Sequence, residues 1–520
     1  MVLFRPSRRQ CLAALVVLLP SLTFAQKVDE RSIDQLVEET IREWQVPGAA
    51  VAITRGDDII YLKGFGVREK GRPERVTPDT RFAIASATKA FTSTAVAMLV
   101  DEGKMSWDDK VRKHLPYFHL SDPFADENVT LRDILSHRTG LSRHDMLWYG
   151  SPWSREEVIR RIGKVKLSQP FRSGYLYQNI MYIAAGEAVA AAAGMPWEDF
   201  IRKRIFEPLG MTNSDCSVKD VLNSLDHASP HRKLLDRSVR VIPWRNVDNA
   251  GPAGSINSSA RDLTKWMRFQ LNEGTFDGKQ LVSAASLHET HLPHTVVRMD
   301  QPLRMLTSEM TQLTYGLGWF INDYRGHAVV SHSGAIDGFR ANITLLPKEK
   351  IGIAVLTNLD QLNVPEALRD SLVDLLLGLP RKDWNKAYMA QAAKDEAEQR
   401  AKEEQVGTQE DSAKPPRDLT EYCGIYEDPA YGTVQISAEG QRLVFAWSNF
   451  KAALRHRYFD TFFTADDEFG ITPAVFHTNE AGEVDSLRML DVEFRKVKPQ
   501  IASSSPEAAA HAATRGEVSP

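Results

Sequence analysis

Apolar residues recur along the chain at two different periods, and these periods separate predicted helices from predicted strands. Ile33, Leu36, Val37, Ile41 and Trp44 follow one another at intervals of three or four residues, the period of an amphipathic helix. Shorter runs of apolar and β-branched residues, bounded by turn residues, predict strands. We predict such strands at residues 49–53, 59–65, 327–331, 339–346 and 351–357, with a closing helix at 368–377.

The long segment between the early and the late strands, residues 86–309, has mainly the helical period, interrupted by Gly and Pro. Two early and three late strands around such a segment predict an antiparallel sheet that is flanked by helices and carries a helical lobe. The predicted fold class is therefore α/β, of the α+β type. We expect this fold over residues 26–380.

The pattern changes again towards the C-terminal end. Residues 381–418 begin with a stretch rich in Ala, Lys, Glu and Gln and end in Gly, Ser and adjacent prolines, which predicts a charged helix and a linker. Residues 419–498 then alternate in polarity over short runs and predict a small β domain. Its strands are predicted at 433–436, 443–447, 457–464, 474–477, 487–489 and 492–497. Residues 499–520 lack apolar periodicity and are predicted to be disordered.

The first 25 residues differ from the rest in charge and hydropathy. Arg5, Arg8 and Arg9 precede the apolar run 11–19, and Leu-Thr-Phe-Ala at 22–25 resembles a signal-peptidase site. We predict that residues 1–25 are a cleaved export signal and that the protein is periplasmic or secreted. The paired arginines leave both the general and the twin-arginine export routes open. No later run of 18 apolar residues occurs, so no integral membrane segment is expected after signal cleavage.

Composition excludes two classes of protein. The 520 residues include 64 Lys and Arg against 68 Asp and Glu, a net charge of -4, whereas a protein that neutralises nucleic-acid phosphates would be more basic. The 22 Phe, 13 Tyr and 10 Trp supply core material that a generally disordered chain lacks. Signal cleavage would leave Cys216 and Cys423, either as free thiols or as a disulfide in an oxidising compartment.

A serine and a lysine three residues apart form the first element of a candidate catalytic site. Ser86 and Lys89 open a predicted helix that ends at Gly103, and their spacing places both side chains on one face. A serine hydroxyl becomes a good nucleophile when a neighbouring base takes its proton, and a helix N-terminus favours the negative charge that develops. The same spacing occurs at Ser448 and Lys451 in the predicted β domain, so spacing alone does not identify the site.

A second element supplies partners for Ser86. Tyr177 and Asn179 belong to the one Tyr-x-Asn sequence in the chain, directly before a helix predicted at 180–193. A loop tyrosine at this place can act as a base or a proton relay if nearby cations lower its pKa. The Asn179 amide can bind a substrate carbonyl.

A third element follows the strand predicted at 327–331. There His332, Ser333 and Gly334 precede Ala335, and a glycine at this place lets a substrate backbone approach the strand. An extended substrate could then pair with the strand edge. The backbone amides of the serine nucleophile and of Ala335 could form an oxyanion hole.

In this order, the three elements resemble the serine β-lactamase and penicillin-binding-protein superfamily, and specifically the class C β-lactamase-like branch with its D-aminopeptidase and esterase relatives. The resemblance covers residues 46–379. It implies that Ser86 is acylated, that Lys89 and Tyr177 share the proton transfers, and that Asn179 positions substrate. Shorter matches are Leu-Ser-His-Arg-Thr-Gly-Leu at 135–141, Pro-Leu-Gly-Met at 208–211, Tyr-Gly-Leu-Gly-Trp at 315–319 and Leu-Thr-Asn at 356–358.

The third element departs from the lactamases proper, which carry Lys-Thr-Gly or Lys-Ser-Gly where this chain has His332. An unperturbed histidine titrates at about 6.5, so we expect weaker recognition of a substrate carboxylate and less turnover of β-lactams. Histidine at this place is more similar to the esterase and peptidase members. The region after Leu419, with Tyr-Cys-Gly-Ile-Tyr at 422–426, is similar to the small lipocalin-like β-barrel domain that follows the catalytic domain in many members.

Other kinds of site have weaker sequence support. His288, His291 and His294 are evenly spaced but lack the His-Glu-x-x-His order of zinc proteases, and Pro293 interrupts a shared helix, so we predict no metal. The chain has no Gly-x-Ser-x-Gly elbow and no Walker or dinucleotide loop, so we expect no cofactor.

These observations predict an exported serine hydrolase that cleaves an amide or ester bond of a small-molecule or peptide substrate through a Ser86 acyl-enzyme, with no nucleic-acid partner. Two alternatives stay open. One is a β-lactamase or D-alanyl-D-alanine carboxypeptidase. The other is a non-catalytic envelope protein that uses the same fold for binding or sensing.

Overall fold

The structure is a computed structural model that describes residues 29–234, 237–299, 309–361, 363–407, 414–464 and 472–497. The predicted export signal and the predicted disordered tail lie outside the described residues. Within them, the chain forms a large antiparallel sheet with helices on both faces and a separate closed β-barrel, which confirms the predicted fold class. No helix in this part of the chain combines the length and the apolar character that a membrane crossing requires.

The large sheet has eight antiparallel strands, and its order brings distant parts of the chain together. The strands up to residue 357 are β1 (Gly48–Arg55), β2 (Asp58–Gly66), β3 (Phe82–Ala83), β4 (His231–Lys233), β5 (Val239–Val241), β6 (Asn257–Ser258), β7 (Thr275–Phe276), β8 (Lys279–Gln280), β9 (Thr295–Val296), β10 (Leu313–Tyr315), β11 (Phe320–Tyr324), β12 (His327–Ile336), β13 (Phe339–Leu346) and β14 (Ile351–Thr357). The sheet order is β2-β1-β14-β13-β12-β11-β10-β9, and the six remaining short strands pair as β3-β6, β4-β5 and β7-β8.

The helices before residue 408 cover both faces of this sheet and form the lobe between the early and late strands, and one short helix, α16, packs on the barrel. They are α1 (Glu30–Glu43), α2 (Thr88–Asp101), α3 (Val111–His114), α4 (Pro123–Asn128), α5 (Leu131–Leu135), α6 (Arg155–Ile162), α7 (Asn179–Ala193), α8 (Trp197–Ile201), α9 (Glu207–Leu209), α10 (Val218–Leu222), α11 (Gly251–Gly254), α12 (Ala260–Leu271), α13 (Ala284–Thr290), α14 (Val364–Leu377), α15 (Trp384–Gly407) and α16 (Leu419–Tyr422). Single 3-10 turns lie at Ala85–Ala87, Asp145–Leu147 and Asp248–Ala250, and a π turn lies at Arg202–Phe206.

Strand β1 shows why the sheet needs helices on both faces. Its residues alternate between two cores: Ala50 and Ala52 belong to the cluster that includes α2 and α12, whereas Val51 and Ile53 belong to the cluster that includes α1 and α14. Successive strand residues point to opposite faces of a sheet. Since both sets are apolar and fully buried, neither face of the strand can remain open to water.

The barrel is built from the last eight strands, each antiparallel to its neighbours. They are β15 (Gly424–Asp428), β16 (Gly432–Glu439), β17 (Arg442–Trp447), β18 (Phe450–Tyr458), β19 (Thr461–Thr464), β20 (Pro473–Thr478), β21 (Val484–Met489) and β22 (Val492–Lys496). The single strand predicted at 457–464 is wrong, because the chain turns there at Phe459, whose φ is 45°. Cys423 precedes the barrel and, like Cys216, is a free thiol.

Candidate active site

Ser86 lies in the 3-10 turn that immediately precedes α2. The turn packs directly on β12, since a Cβ atom on Gly334 would lie 2.0 Å from the backbone oxygen of Ile84. Only a residue without a side chain permits this approach. Gly334 therefore allows the nucleophile turn to pack against the sheet, and its role in admitting a substrate backbone stays a prediction.

Lys89 follows Ser86 by about one helical turn and reaches back towards it. Its Nζ lies 3.1 Å from Ser86 Oγ, 2.7 Å from Asn179 Oδ1 and 2.9 Å from the backbone oxygen of Ala253. The side chain is completely buried. Burial holds the pKa of Lys89 well below its ordinary value of 10.5, and the positive charge of Arg143 lowers that pKa further.

The groups around the Lys89 amine fix the direction of its lone pair. Asn179 Oδ1 and the Ala253 carbonyl only accept hydrogen bonds, so a neutral amine donates its two hydrogens to them. The Asn179 amide cannot be reversed, because its Nδ2 donates to the Asp145 carboxylate at 2.8 Å. The lone pair of Lys89 then faces Ser86 Oγ, where it can accept the hydroxyl proton.

Tyr177 is the second titratable group beside the nucleophile. Its hydroxyl lies beside the Ser86 side chain, and the centre of its ring lies 4.8 Å from Lys89 Nζ and 5.0 Å from the guanidinium carbon of Arg143. Burial raises the pKa of Tyr177 above its ordinary value of 10.0 and outweighs the lowering by Ser86 and Arg143. The condition for Tyr177 to act as a base, a pKa lowered by cations, is therefore not met: the phenol keeps its proton at neutral pH and can donate or relay it.

A histidine that sequence reasoning did not select holds the main chain on both sides of Tyr177. The Leu176 N–H donates to the His137 carbonyl at 2.9 Å, and the Gln178 N–H donates to His137 Nδ1 at 3.1 Å. Burial, followed by the charge of Lys89, holds the pKa of His137 well below 6.5, so its ring is neutral and can accept. It belongs to the matched segment 135–141, which the sequence marked without indicating a role.

Two charged residues after that segment complete the polar site, and neither was predicted. Asp145 accepts hydrogen bonds from Asn179 Nδ2 and Trp148 Nε1, both at 2.8 Å, and from Arg143 Nε at 2.7 Å. Asn179 therefore has its amide held at both ends, by Lys89 and by Asp145. No local sequence pattern marks Arg143 or Asp145, because the residues that they contact, Tyr177 and Asn179, lie more than thirty positions further along the chain.

His332 lies within β12 and not in a loop beyond it, and only 2% of the residue is exposed. Its Nδ1 lies 2.6 Å from the Ser333 carbonyl, to which it must donate, so Nε2 is free to accept from the Tyr315 hydroxyl at 3.1 Å. Burial, together with the charge of Lys89, lowers the pKa of His332 to about 3. The expectation of an ordinary imidazole pKa is wrong, and the ring stays neutral at physiological pH.

Ser333 and Ala335 are exposed on the part of β12 that has one open edge. Strand β13 pairs with residues 330–336, whereas β11 pairs only with residues 327–331. Among the described residues, no strand covers the remaining edge at 332–336. An extended substrate could form main-chain hydrogen bonds there.

A cavity of about 230 Å³ opens beside the nucleophile. Three of the predicted residues line it: Ser86, Asn179 and Ala335. Both residues whose amides were proposed as an oxyanion hole, Ser86 and Ala335, are thus on its surface. The predicted residues outside this lining are Lys89, Tyr177, His332, Ser333 and Gly334.

The cavity also has a charged group of residues that the sequence did not reveal. The Tyr149 hydroxyl and Arg245 Nε both donate to Asp337 Oδ2, at 2.6 Å and 2.9 Å. Arg340 forms an ion pair with Asp360, and burial lowers the pKa of Arg340 to about 10. Arg232 also lies 3.6 Å from Asp337 and 3.5 Å from Asp360, so the arginines of this group pair with carboxylates of the protein.

The second Ser-x-x-Lys sequence does not form a comparable site. Ser448 lies at the exposed turn between β17 and β18, and Lys451 donates to Glu439 across the barrel surface at 2.8 Å. The two residues are therefore part of a β-hairpin and not one face of a helix. In the part of the chain that the structure describes, no group of three or more His, Cys, Asp or Glu side chains is arranged to hold a metal ion.

Comparison with known proteins gives matches over most of the chain. Residues 33–378 match the family model described as Beta-lactamase, and residues 408–501 match one described as a domain of unknown function, DUF3471. The unguisins hydrolase ungD' of Aspergillus campestris is 30% identical over 434 residues, which are 79% of this chain and 78% of that protein.

Two solved structures share the fold at lower sequence identity. The octameric penicillin-binding protein homologue from Pyrococcus abyssi has a TM-score of 0.59 and 22% identity, with coverage of 90% of this chain and 100% of that one. The D-amino acid amidase from Ochrobactrum anthropi SV3 complexed with L-phenylalanine has a TM-score of 0.56 and 20% identity, with coverage of 67% and 98%. At these identities the likeness concerns the fold alone.

Proposed function

This chain belongs to the Beta-lactamase family, and from that premise we propose that it is a serine hydrolase that cleaves an amide or ester bond through an acyl-enzyme on Ser86. The observation that carries the proposal is the contact of Lys89 Nζ with Ser86 Oγ at 3.1 Å. A buried amine of lowered pKa in that contact is a general base for the hydroxyl.

The first half of the reaction forms the acyl-enzyme. Ser86 Oγ attacks the substrate carbonyl carbon while its proton passes to the lone pair of Lys89 Nζ. The carbonyl oxygen becomes an oxyanion, which the backbone amides of Ser86 and Ala335 stabilise. When the intermediate collapses, the bond to the leaving amine or alcohol breaks, and Tyr177 donates its phenolic proton to that group and regains one from the Lys89 ammonium.

The second half reverses these proton transfers. A water molecule attacks the acyl carbon and loses a proton to Lys89, and the ester bond to Ser86 breaks with return of a proton to Oγ. The acid product leaves, and Ser86, Lys89 and Tyr177 are restored to their initial protonation states. Asn179 holds the Lys89 amine in place throughout, because its Oδ1 accepts from Nζ.

The neutral His332 supports amide or ester substrates in preference to those that are held through a carboxylate. A lysine in that strand position would present a cation, whereas this imidazole is buried and uncharged. The charged residues of the cavity, such as Arg340 and Asp337, are already paired with protein groups. The proposal extends to export, because residues 1–25 have the pattern of a cleaved signal, and N-terminal sequencing of protein from the cell envelope and the medium tests that part.

Active-site labelling tests the nucleophile directly. The intact mass of the wild type is measured after incubation with a small fluorophosphonate, and hydrolysis is measured with p-nitrophenyl esters, D- and L-amino-acid anilides and a chromogenic β-lactam. We expect one label per chain, located on Ser86, and turnover of esters or anilides. Ser86→Ala should abolish both, while the matched control Ser448→Ala should alter neither. Equal labelling of wild type and Ser86→Ala would refute the assignment.

A further inference from the structure

The loop between residue 142 and helix α6 contacts both the cavity and the barrel. We name residues 143–153 the bridging loop. It contains one 3-10 turn, Asp145–Leu147, and two residues with left-handed backbone, His144 at φ 45° and Gly150 at φ 61°. A non-glycine residue in that region is strained and persists when its surroundings hold it in place. The conformation of the bridging loop therefore depends on contacts from outside it.

The inner side of the bridging loop forms part of the cavity. Arg143, Asp145, Trp148 and Tyr149 all belong to the cavity lining. Asp145 holds Asn179 through the 2.8 Å hydrogen bond, and the Tyr149 hydroxyl holds Asp337 at 2.6 Å. A displacement of this loop would therefore change the shape of the space that receives the substrate.

The outer side of the same loop packs against the barrel, mainly against the turn between β17 and β18. The ring of Tyr149 stacks on Phe450 with centres 6.4 Å apart and planes 7° apart. The Gly150 carbonyl accepts from Asn449 Nδ2 at 3.0 Å. A Cβ atom on Gly150 would lie 2.5 Å from Phe450 Cζ, so the loop and the Phe450 ring are in close contact at this point.

A second group of barrel contacts holds the two ends of the loop. His144 Nδ1 lies 2.9 Å from the Tyr431 hydroxyl, directly beside Asp145. At the other end, Trp153 packs edge-on against Trp447 with ring centres 5.9 Å apart. Tyr431 and Trp447 are themselves joined, because Trp447 Nε1 donates to the Tyr431 carbonyl at 2.9 Å. The barrel thus touches the bridging loop at its start, middle and end.

We propose that the barrel determines the substrate specificity of the hydrolase by positioning the bridging loop, and that Phe450, Asn449 and Tyr431 are the positioning residues. Tyr149 transmits the effect, since its ring contacts Phe450 while its hydroxyl contacts Asp337 in the cavity. This inference rests on the proposed hydrolase function. It predicts that changes in the barrel alter which acyl groups fit, while attack by Ser86 continues.

The test compares full-length variants with two p-nitrophenyl esters, the acetate and the bulkier phenylacetate. Phe450→Ala removes the ring that supports Tyr149, so the cavity becomes less confined. This should lower kcat/KM for the small acetyl group more than for the larger phenylacetyl group. We expect the ratio of kcat/KM for acetate over phenylacetate to fall about threefold to tenfold, mainly through KM. Fluorophosphonate labelling of Ser86 should stay within about threefold of the wild type, because no barrel residue is among the groups that transfer the proton.

Three further variants separate positioning from a general loss of stability. Phe459→Ala is the matched control, because Phe459 is another barrel aromatic but is 80% exposed at a different turn. It should leave the ratio unchanged. Asn449→Ala combined with Tyr431→Phe removes the two polar contacts with little loss of volume and should shift the ratio in the same direction as Phe450→Ala. In a Tyr149→Ala background, Phe450→Ala should cause no further shift, since coupled residues are not additive.

The possible results distinguish this inference from the proposed function. If the wild type is labelled at Ser86 but the ester ratio is the same in Phe450→Ala and in the Asn449/Tyr431 double variant, the positioning role is overturned and the hydrolase function stands. An equal shift in the Phe459→Ala control also overturns it. If the wild type is neither labelled nor active, both proposals fail together.

Discussion

Lys89 can be tested as the general base by moving a charge that lies next to it. In the double variant Asn179→Asp/Asp145→Asn, the amide and the carboxylate exchange places, so the hydrogen bond between the two positions can still form. The new carboxylate replaces the Asn179 oxygen that lies 2.7 Å from Lys89 Nζ. An adjacent negative charge favours the ammonium form and raises the pKa of Lys89.

The size of this change follows from the distances. Unit charges about 4 Å apart at an effective dielectric of about 20 attract by roughly 4 kcal/mol. If desolvation of the new carboxylate and loss of the Asp145 charge together offset about half of that, roughly 2 kcal/mol remains, which is about 1.5 pH units at 1.36 kcal/mol per unit. Since the active enzyme requires neutral Lys89, the acid limb of the kcat/KM profile should move upwards by about 1.5 pH units.

The assay is the pH profile of kcat/KM between pH 5 and 10 with a neutral p-nitrophenyl ester. The single variant Asp145→Asn is the control. It should move the acid limb of the profile to lower pH, because the Asp145 charge raises the pKa of Lys89 in the wild type. In Lys89→Met the limb should be absent. If the double variant is folded by circular dichroism and its limb coincides with that of the wild type, another group is the base and the reasoning fails.

Lys89→Met and Tyr177→Phe should each slow acylation of Ser86 by about 10²-fold to 10⁴-fold, with the larger effect at Lys89; a single-turnover experiment that finds only a higher KM would contradict both roles. His332→Gln should make the free energy of unfolding less dependent on pH. The pKa of His332 is about 3 in the folded state and 6.5 in the unfolded state. The wild type therefore loses stability as the pH falls between these values, by up to about 1.4 kcal/mol per pH unit. The free energy of unfolding is measured by urea denaturation at several pH values between 6.5 and 4. If it fell equally with pH in both proteins, the result would be inconsistent with a buried neutral imidazole. Gly334→Ala should destabilise the fold by roughly 1–3 kcal/mol and slow fluorophosphonate labelling, because the added Cβ meets the Ile84 oxygen; unchanged denaturation and labelling would contradict the close packing of turn and strand.

The elements of the large sheet could be predicted because their sequence periods are strong and local. The predicted strands 339–346 and 351–357 coincide with β13 and β14. The strand predicted at 327–331 was too short, since β12 continues to Ile336. Its last five residues carry His, Ser and Gly, which lack strand propensity, and it is pairing with β13 that keeps them extended.

The candidate site was predictable only as far as motifs mark it. Ser86, Lys89 and Tyr177 lie together in the structure as the motifs indicated. The pKa values were not predictable, because burial dominates those of Tyr177 and His332 and burial depends on the whole fold. The bridging loop was missed for a related reason: its residues have no periodicity, and its shape depends on a barrel whose sequence begins more than 250 residues later.

The position of β1 has a consequence for the order in which the protein can fold. This strand, whose buried residues 49–53 are all apolar, lies between β2, which follows it directly, and β14, which is synthesised about 300 residues later. At a synthesis rate of roughly 5–20 residues per second, the partner strand becomes available about 15–60 s after β1 leaves the ribosome. During that time the β1–β2 hairpin has an unpaired apolar edge, which is the kind of surface that leads to aggregation. The nascent chain should therefore require a chaperone to cover this edge until β14 arrives.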